Sequence, residues 1–314
     1  MNKSIRDYAR RNRGLLYALG AATLFSFKPV LVKLIYVYDL NTITLMAWRM
    51  LISGPVYLGI GLLLLARHSN AGRKIETHWY IKALLVGLIG YYLAALFDLL
   101  GLQTITAQLE RLILFSYPTW VAVLSVLILR KPLAKNTLFA LALSYAGIAI
   151  IFISDWQVLG DSVVVGSIWV LLSALAFSLY IVLSKPIIDH VGAKEFTVIA
   201  MLSSSVITLI HFLSVESPAS LVIPMPAFWL IFIMAMLTTV LPTFMLAAAI
   251  SRIGPAKTAI TGTIGPAMTS VFAVFLLDEY FGWPQAIGLM LVVAAVMMMQ
   301  SKPTKQRRDQ RSAD

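Results

Sequence analysis

Residues 102–120, "LQTITAQLERLILFSYPTW", run alongside residues 250–268, "ISRIGPAKTAITGTIGPAM", at an offset of 148, which superimposes Pro118 on Pro266. A second correspondence lies earlier in each copy. "ATLFSFKPVLVK" (22–33) matches "ALAFSLYIVLSK" (174–185) at an offset of 152, with Phe-Ser and then Lys seven residues after the Ser. The chain is therefore read as two copies of one unit. What the unit is follows from the composition around these stretches.

The 314 residues are 60% hydrophobic and 12% charged, whereas a soluble domain is nearer ~25% charged. Apolar runs of about 20 residues, enough to cross a hydrocarbon core of roughly 30 Å, recur along the whole length. Spans are expected at approximately 14–36, 41–66, 79–103, 106–130, 136–154, 163–188, 193–215, 226–251, 255–277 and 284–300. Run length favours helices over barrel strands, which would alternate over about ten residues. The expected fold class is an all-α polytopic membrane protein with ten transmembrane helices. Each copy has five spans, an odd number, so the second is inserted upside down, giving two inverted five-helix repeats, 14–154 and 163–300. Inverted repeats are a signature of secondary transporters with a site near the midplane.

Charge placement orients the chain. With the N-terminus inside, 21 of the 25 Lys and Arg residues fall on inner segments, all but Lys28, Lys33, Arg49 and Arg111. The outer loops carry Asp39, Asp155, Asp161, Glu216, Asp278 and Glu279. This is the positive-inside pattern. It places both basic tails, 1–13 and 301–314, in the cytoplasm and the spans in the plasma (cell inner) membrane. The pI of about 9.8 then reflects topology and attraction to anionic lipid, not nucleic acid. The basic start followed by an apolar stretch is read as an uncleaved anchor, because span one exceeds a signal-peptide core in length.

The stretches "GLQTITAQLERLILFSYPTWVAVLSVLILRKPL" (101–133) and "AAISRIGPAKTAITGTIGPAMTSVFAVFLLDEYFGWPQAIG" (248–288) carry a likeness to a known family. The chain resembles the drug/metabolite transporter superfamily, specifically its EamA-type members. In that family each copy ends in a short helix-break-helix, a Pro in the following span and a Glu just beyond. Glu279 matches that Glu in the second copy, while Lys131 stands at the equivalent place in the first. The resemblance implies a ten-helix exporter of small metabolites, amino acids or drugs, with spans five and ten peripheral. It names no substrate.

Within the spans stand Lys28, Lys33, Arg49, Asp98, Glu110 and Arg111, all in the first copy and all in the outer half of the membrane under this topology. Each costs roughly 2.5–3.5 kcal/mol at a helix centre on insertion scales. Lys33, matched by Lys185, is close enough to the outer end to snorkel. The other five are taken as substrate-binding or coupling residues. If the outer hairpin turns at 104–105, Asp98 and Arg111 share a depth of about 10 Å, which predicts an Asp98–Arg111 pair, with Glu110 reaching Lys28 or Arg49. Cations outnumber carboxylates in this set, and an unpaired one suits a substrate carboxylate or phosphate. Phe27, Tyr91, Tyr117, Trp120 and Tyr180 are expected to line the same cavity, and span one is expected to pack beside span six. Pro29, Pro118, Pro242 and Pro266 remove helix hydrogen bonds and are hinge candidates or static kinks.

HExxH, GxSxG and GxxxxGK[ST] patterns are absent, so no enzyme, cofactor or metal site is expected, and ATP-driven pumping by this chain alone is excluded. The expected partners are a small-molecule substrate with an anionic group and membrane lipid, without nucleic acid. The leading reading is a secondary exporter acting by alternating access. An importer or facilitator on the same fold, or a non-transporting membrane scaffold, are the alternatives.

Overall fold

The computed structural model describes residues 3–69, 76–129, 135–262 and 264–300. Every regular element among them is helical. Among the described residues nine helices are long and apolar enough to cross a membrane. They are α1 (Asn12–Tyr36), α2 (Thr42–Ala66), α3 (Thr77–Leu102), α4 (Ala107–Ile128), α5 (Ala142–Leu159), α6 (Ser162–Val191), α7 (Ala193–Val215), α8 (Met225–Ile253) and α9 (Pro255–Leu277). A further helix, α10 (Trp283–Gln300), has a shorter described apolar stretch, Trp283–Ala295. Within the helices Leu62, Leu63, Phe275 and Met290 are 59–79% exposed. Water would not tolerate such a surface, but lipid does. Lys131 and the tail 301–314 lie outside the described residues.

One boundary departs from the sequence reading in a way that matters. The helix containing α5 continues to Leu159, so Asp155 is not in an outer loop. It is buried within the helix and accepts a hydrogen bond from Thr106 Oγ1 at 2.6 Å. That donor replaces water and lets the helix run on.

Several spans are broken or widened, and Pro29, Pro118, Pro242 and Pro266 lie at or beside these places. α1 divides at Phe27, and Pro29 lies in the first turn of its second segment, Lys28–Tyr36. α4 divides at Phe115–Ser116, and Pro118 is the second residue of Tyr117–Leu129. Pro242 is the second residue of Leu241–Ile253, and Pro266 is in the first turn of Ile264–Leu277. Pro29, Pro118 and Pro266 thus sit where the missing N–H has no intrahelical partner to lose, whereas Pro242 lies inside a continuous helix. Wide π-helical turns occupy Leu88–Leu93 in α3 and Met236–Val240 in α8. Their first residues are 148 apart, the offset of the sequence repeat. Pro242 blocks regular bonding behind the second. The first has no proline, and we have no physical account of why it widens.

Packing is pairwise across the two halves. α1 packs on α8 and α9, α6 on α3 and α4, and α2 on α7. Span one therefore does not lie beside span six as expected. The two face each other across a cavity, lined by Ala18, Ala21 and Ala22 from α1 and by Ser173 and Phe177 from α6. α5 and α10 pack chiefly on one another and contribute nothing to that cavity. Their contact is backbone-close. A Cβ on Gly147 would stand 2.6 Å from the Gly288 oxygen, and one on Gly288 would stand 2.7 Å from the Gly147 oxygen. Small residues provide such approach where lipid supplies no hydrophobic drive between helices.

Candidate functional site

The cavity has a volume of about 110 Å³ and draws side chains from α1 to α4 and α6 to α9. That is room for several waters or one small organic solute. Its charged end carries Lys28, Arg49, Asp98 and Arg111, and its other end reaches Leu246, Thr258 and Gly262.

Lys28 opens the second segment of α1, and its Nζ lies 2.5 Å from Asp98 Oδ2. The Asp98 side chain is only 2% exposed. Asp98 pairs with Lys28, not with Arg111, which corrects the pairing read from depth alone. Depth along a hairpin places two residues at one level. It does not say which way each side chain points around its helix, and α1 approaches α3 from the cavity side. Glu110 does not reach Lys28 or Arg49 as an ion pair either. It is fully buried and does not line the cavity.

The two guanidinium groups are left over. Arg49 and Arg111 are buried at 4% and 8% exposure, and among the described residues neither has a carboxylate within ion-pair distance. The Nε atoms of both lack any hydrogen-bond partner in the protein, as do Asp98 Oδ1 and Glu110 Oε2. An orphaned buried donor costs roughly 1–3 kcal/mol, more when charged. Arg49 and Arg111 line the cavity, so an anionic ligand there would meet their unpartnered donors. Arg111 also leans on the backbone of α9. A Cβ on Gly265 would stand 2.9 Å from Arg111 Nη2, so a larger residue there would push the guanidinium aside.

Among the aromatic candidates, Tyr91 and Tyr117 line the cavity, and Tyr117 donates to the Ala259 carbonyl at 3.0 Å. Tyr180 does not. It is fully buried behind Tyr91, with the two hydroxyls 2.7 Å apart. Phe27 stacks on Phe272 at 3.8 Å between ring centroids, and neither it nor Trp120 lines the cavity. An aromatic in a span fills space between helices at least as readily as it faces a cavity, and these three do the former.

The sequence model of the EamA-like transporter family matches residues 12–153 and again residues 164–300. The chain belongs to the EamA-like transporter family. The uncharacterized transporter YcbK of Bacillus subtilis (strain 168) is 26% identical over 298 residues, 93% of this chain and 94% of that protein. A solved crystal structure superposes with a TM-score of 0.65 at 16% identity, over 92% of this chain and 98% of that one. At that identity the likeness speaks for the fold alone. The protein is thus a multi-pass membrane transporter.

Two features of this EamA-like transporter escaped the reading of its sequence. Thr238, Thr239 and Thr243 line the cavity, the last bonded through Oγ1 to Tyr57 Oη at 2.8 Å. The only signal was three threonines in the otherwise apolar "LTTVLPTF" (237–244). The second is the partner of Glu279, whose carboxylate caps the start of α4.

Proposed function

We propose that the protein is a secondary exporter of small organic metabolites, such as amino acids or drugs, working by alternating access through the central cavity. Ten spans in two inverted five-helix repeats, 14–154 and 163–300, with both termini cytoplasmic in the cell inner membrane, complete this reading. The double family match, the π-turns 148 residues apart and the α5–α10 pairing support the repeat. The basic inner segments support the orientation.

The observation that carries the reading is the pair of buried guanidinium groups without a carboxylate, Arg49 and Arg111. A planar guanidinium binds carboxylate or phosphate in two-pronged fashion, and a buried one does so without competition from water. The substrate accordingly carries an anionic group, with Tyr91, Tyr117 and the α8 threonines around its uncharged part. Lys28 and Asp98 neutralise each other in the empty site and become separable when a charged solute enters.

The test is a thermal-shift screen of purified protein against metabolites with and without a carboxylate or phosphate. A ligand at 100 times its Kd stabilises by about 2.7 kcal/mol. Stabilisation confined to anionic compounds, followed by counterflow of the best one in oriented vesicles, supports the reading. Stabilisation by cations or neutral compounds alone would overturn the role given to Arg49 and Arg111. Counterflow also reports direction.

A further inference from the structure

At the start of α4, outside the cavity lining, a hydrogen-bonded knot ties together elements from both halves of the chain. Glu279, from the loop between α9 and α10, accepts from the Ala107 N–H at 2.7 Å through Oε1 and from the Gln108 N–H at 3.2 Å through Oε2. The Gln108 side-chain amide donates to the Tyr280 carbonyl at 3.1 Å. Thr106 accepts from the Leu109 N–H at 3.1 Å and donates to Asp155 at 2.6 Å. Lys33 on α1 lies within electrostatic reach of both Glu279 and Asp155. Elements α1, α4, α5 and the α9–α10 loop meet here.

The segment held in this way is Ala107–Leu114, the eight-residue first part of α4. Its fourth and fifth residues are Glu110 and Arg111. A helix start needs acceptors for its free N–H groups, and a carboxylate there also meets the positive end of the helix dipole. Such a cap is ordinarily local. Here it comes from 172 and 171 residues away in the chain, so the cap joins the two segments that match the family. Asp278, at φ 53°, turns the chain at the end of α9 and places Glu279 over α4. Ala107–Leu114 is bounded by the turn at 103–105 and the break at Phe115–Ser116, so it can shift as a unit and carry Arg111 with it.

We propose that Glu279 is a positioning residue of the transport cycle, a clamp whose hold on the start of α4 keeps the charged end of the cavity shut. Release of the clamp frees the Arg111-bearing segment and opens that end toward the face bearing Asp39, Glu216 and Asp278. This inference rests on the alternating-access reading above.

The experiment needs no substrate, which separates its failure from failure of the transport assignment. The chain contains no cysteine, so Ala95→Cys, on the cavity wall, is a single reporter. Its reaction with a membrane-impermeant maleimide is followed in sealed right-side-out and inside-out vesicles. Adding Glu279→Ala should raise the labelling rate on the order of tenfold from the face bearing Asp39 and Glu216, the scale set by loss of a charged hydrogen bond. The rate from the opposite face should not rise. Glu279→Gln retains one acceptor without the charge and should fall between. Should Glu279→Ala not fold, Glu279→Gln alone decides on the same two readings. Unchanged labelling in a folded variant overturns the proposal, and so does an equal rise from both faces, which marks general loosening.

Discussion

At the scale of single residues, the cavity separates one cation that is paired from two that are not, and the difference is measurable. Removing one partner of a buried pair strands the other and costs about 3–5 kcal/mol, while removing both costs far less. Asp98→Asn should therefore lower unfolding stability strongly, and Lys28→Met in the same chain should restore most of it. A double variant no more stable than Asp98→Asn alone would show that the 2.5 Å contact is energetically idle. The reverse holds for Arg49→Gln and Arg111→Gln. Each deletes a buried charge without an ion-pair partner, so the fold should keep its stability or gain a little. The stabilisation by anionic metabolites should be lost. Arg111→Lys keeps the charge but not the planar fork, and should retain only part of that thermal shift. A full shift in either Gln variant would remove that residue from the site.

Among the elements, breaks and close contacts divide the labour. The broken helices α1, α3, α4, α8 and α9 all line the cavity, whereas α5 and α10 form a tight pair away from it. Gly147→Val and Gly288→Val should each destabilise the protein, since overpacking costs about 1–3 kcal/mol and the displaced atom here is backbone. Neither touches the cavity wall, so the thermal shift with anionic metabolites should persist in whatever protein folds. Stability unchanged in both variants would mean that α5 and α10 separate freely. Pro29, Pro118, Pro242 and Pro266 can be sorted in the same spirit. Pro29, Pro118 and Pro266 sit in first turns, where replacement by Ala restores no lost bond, whereas Pro242 lies inside a continuous helix behind a π-turn, where Ala would restore one.

At the scale of the whole molecule, the charge asymmetry and the clamp define two unlike faces. Single Cys at Ser69 is expected to be shielded from an impermeant thiol reagent in intact cells, and Cys at Ser162 or Ser217 to react. Labelling at Ser69 from outside would invert the molecule and with it the face toward which the Glu279 clamp opens. Thr137, on the same side as Ser69 in the sequence, should follow it.

What the sequence by itself determined was mostly what depends on distance along a helix, apart from the end of α5 at Leu159. The spans, the repeat offset and the depth of Lys28, Arg49, Asp98 and Arg111 all follow from apolar run length and a rise of 1.5 Å per residue. The charged wall of the cavity was legible for that reason, since ionisable groups in lipid-depth helices turn inward whatever their role. Direction around the helix and partners remote in the chain were not. Tyr180 lies at the right depth yet packs behind Tyr91, and Asp98 meets Lys28 because α1 and α3 converge there. The α8 threonines were hidden because hydroxyls in a span also bond their own helix, as Thr238 does to the Met234 carbonyl at 2.9 Å. Glu279 found its partners on α4 only through the packing of α9 against α4, a contact that no local pattern encodes.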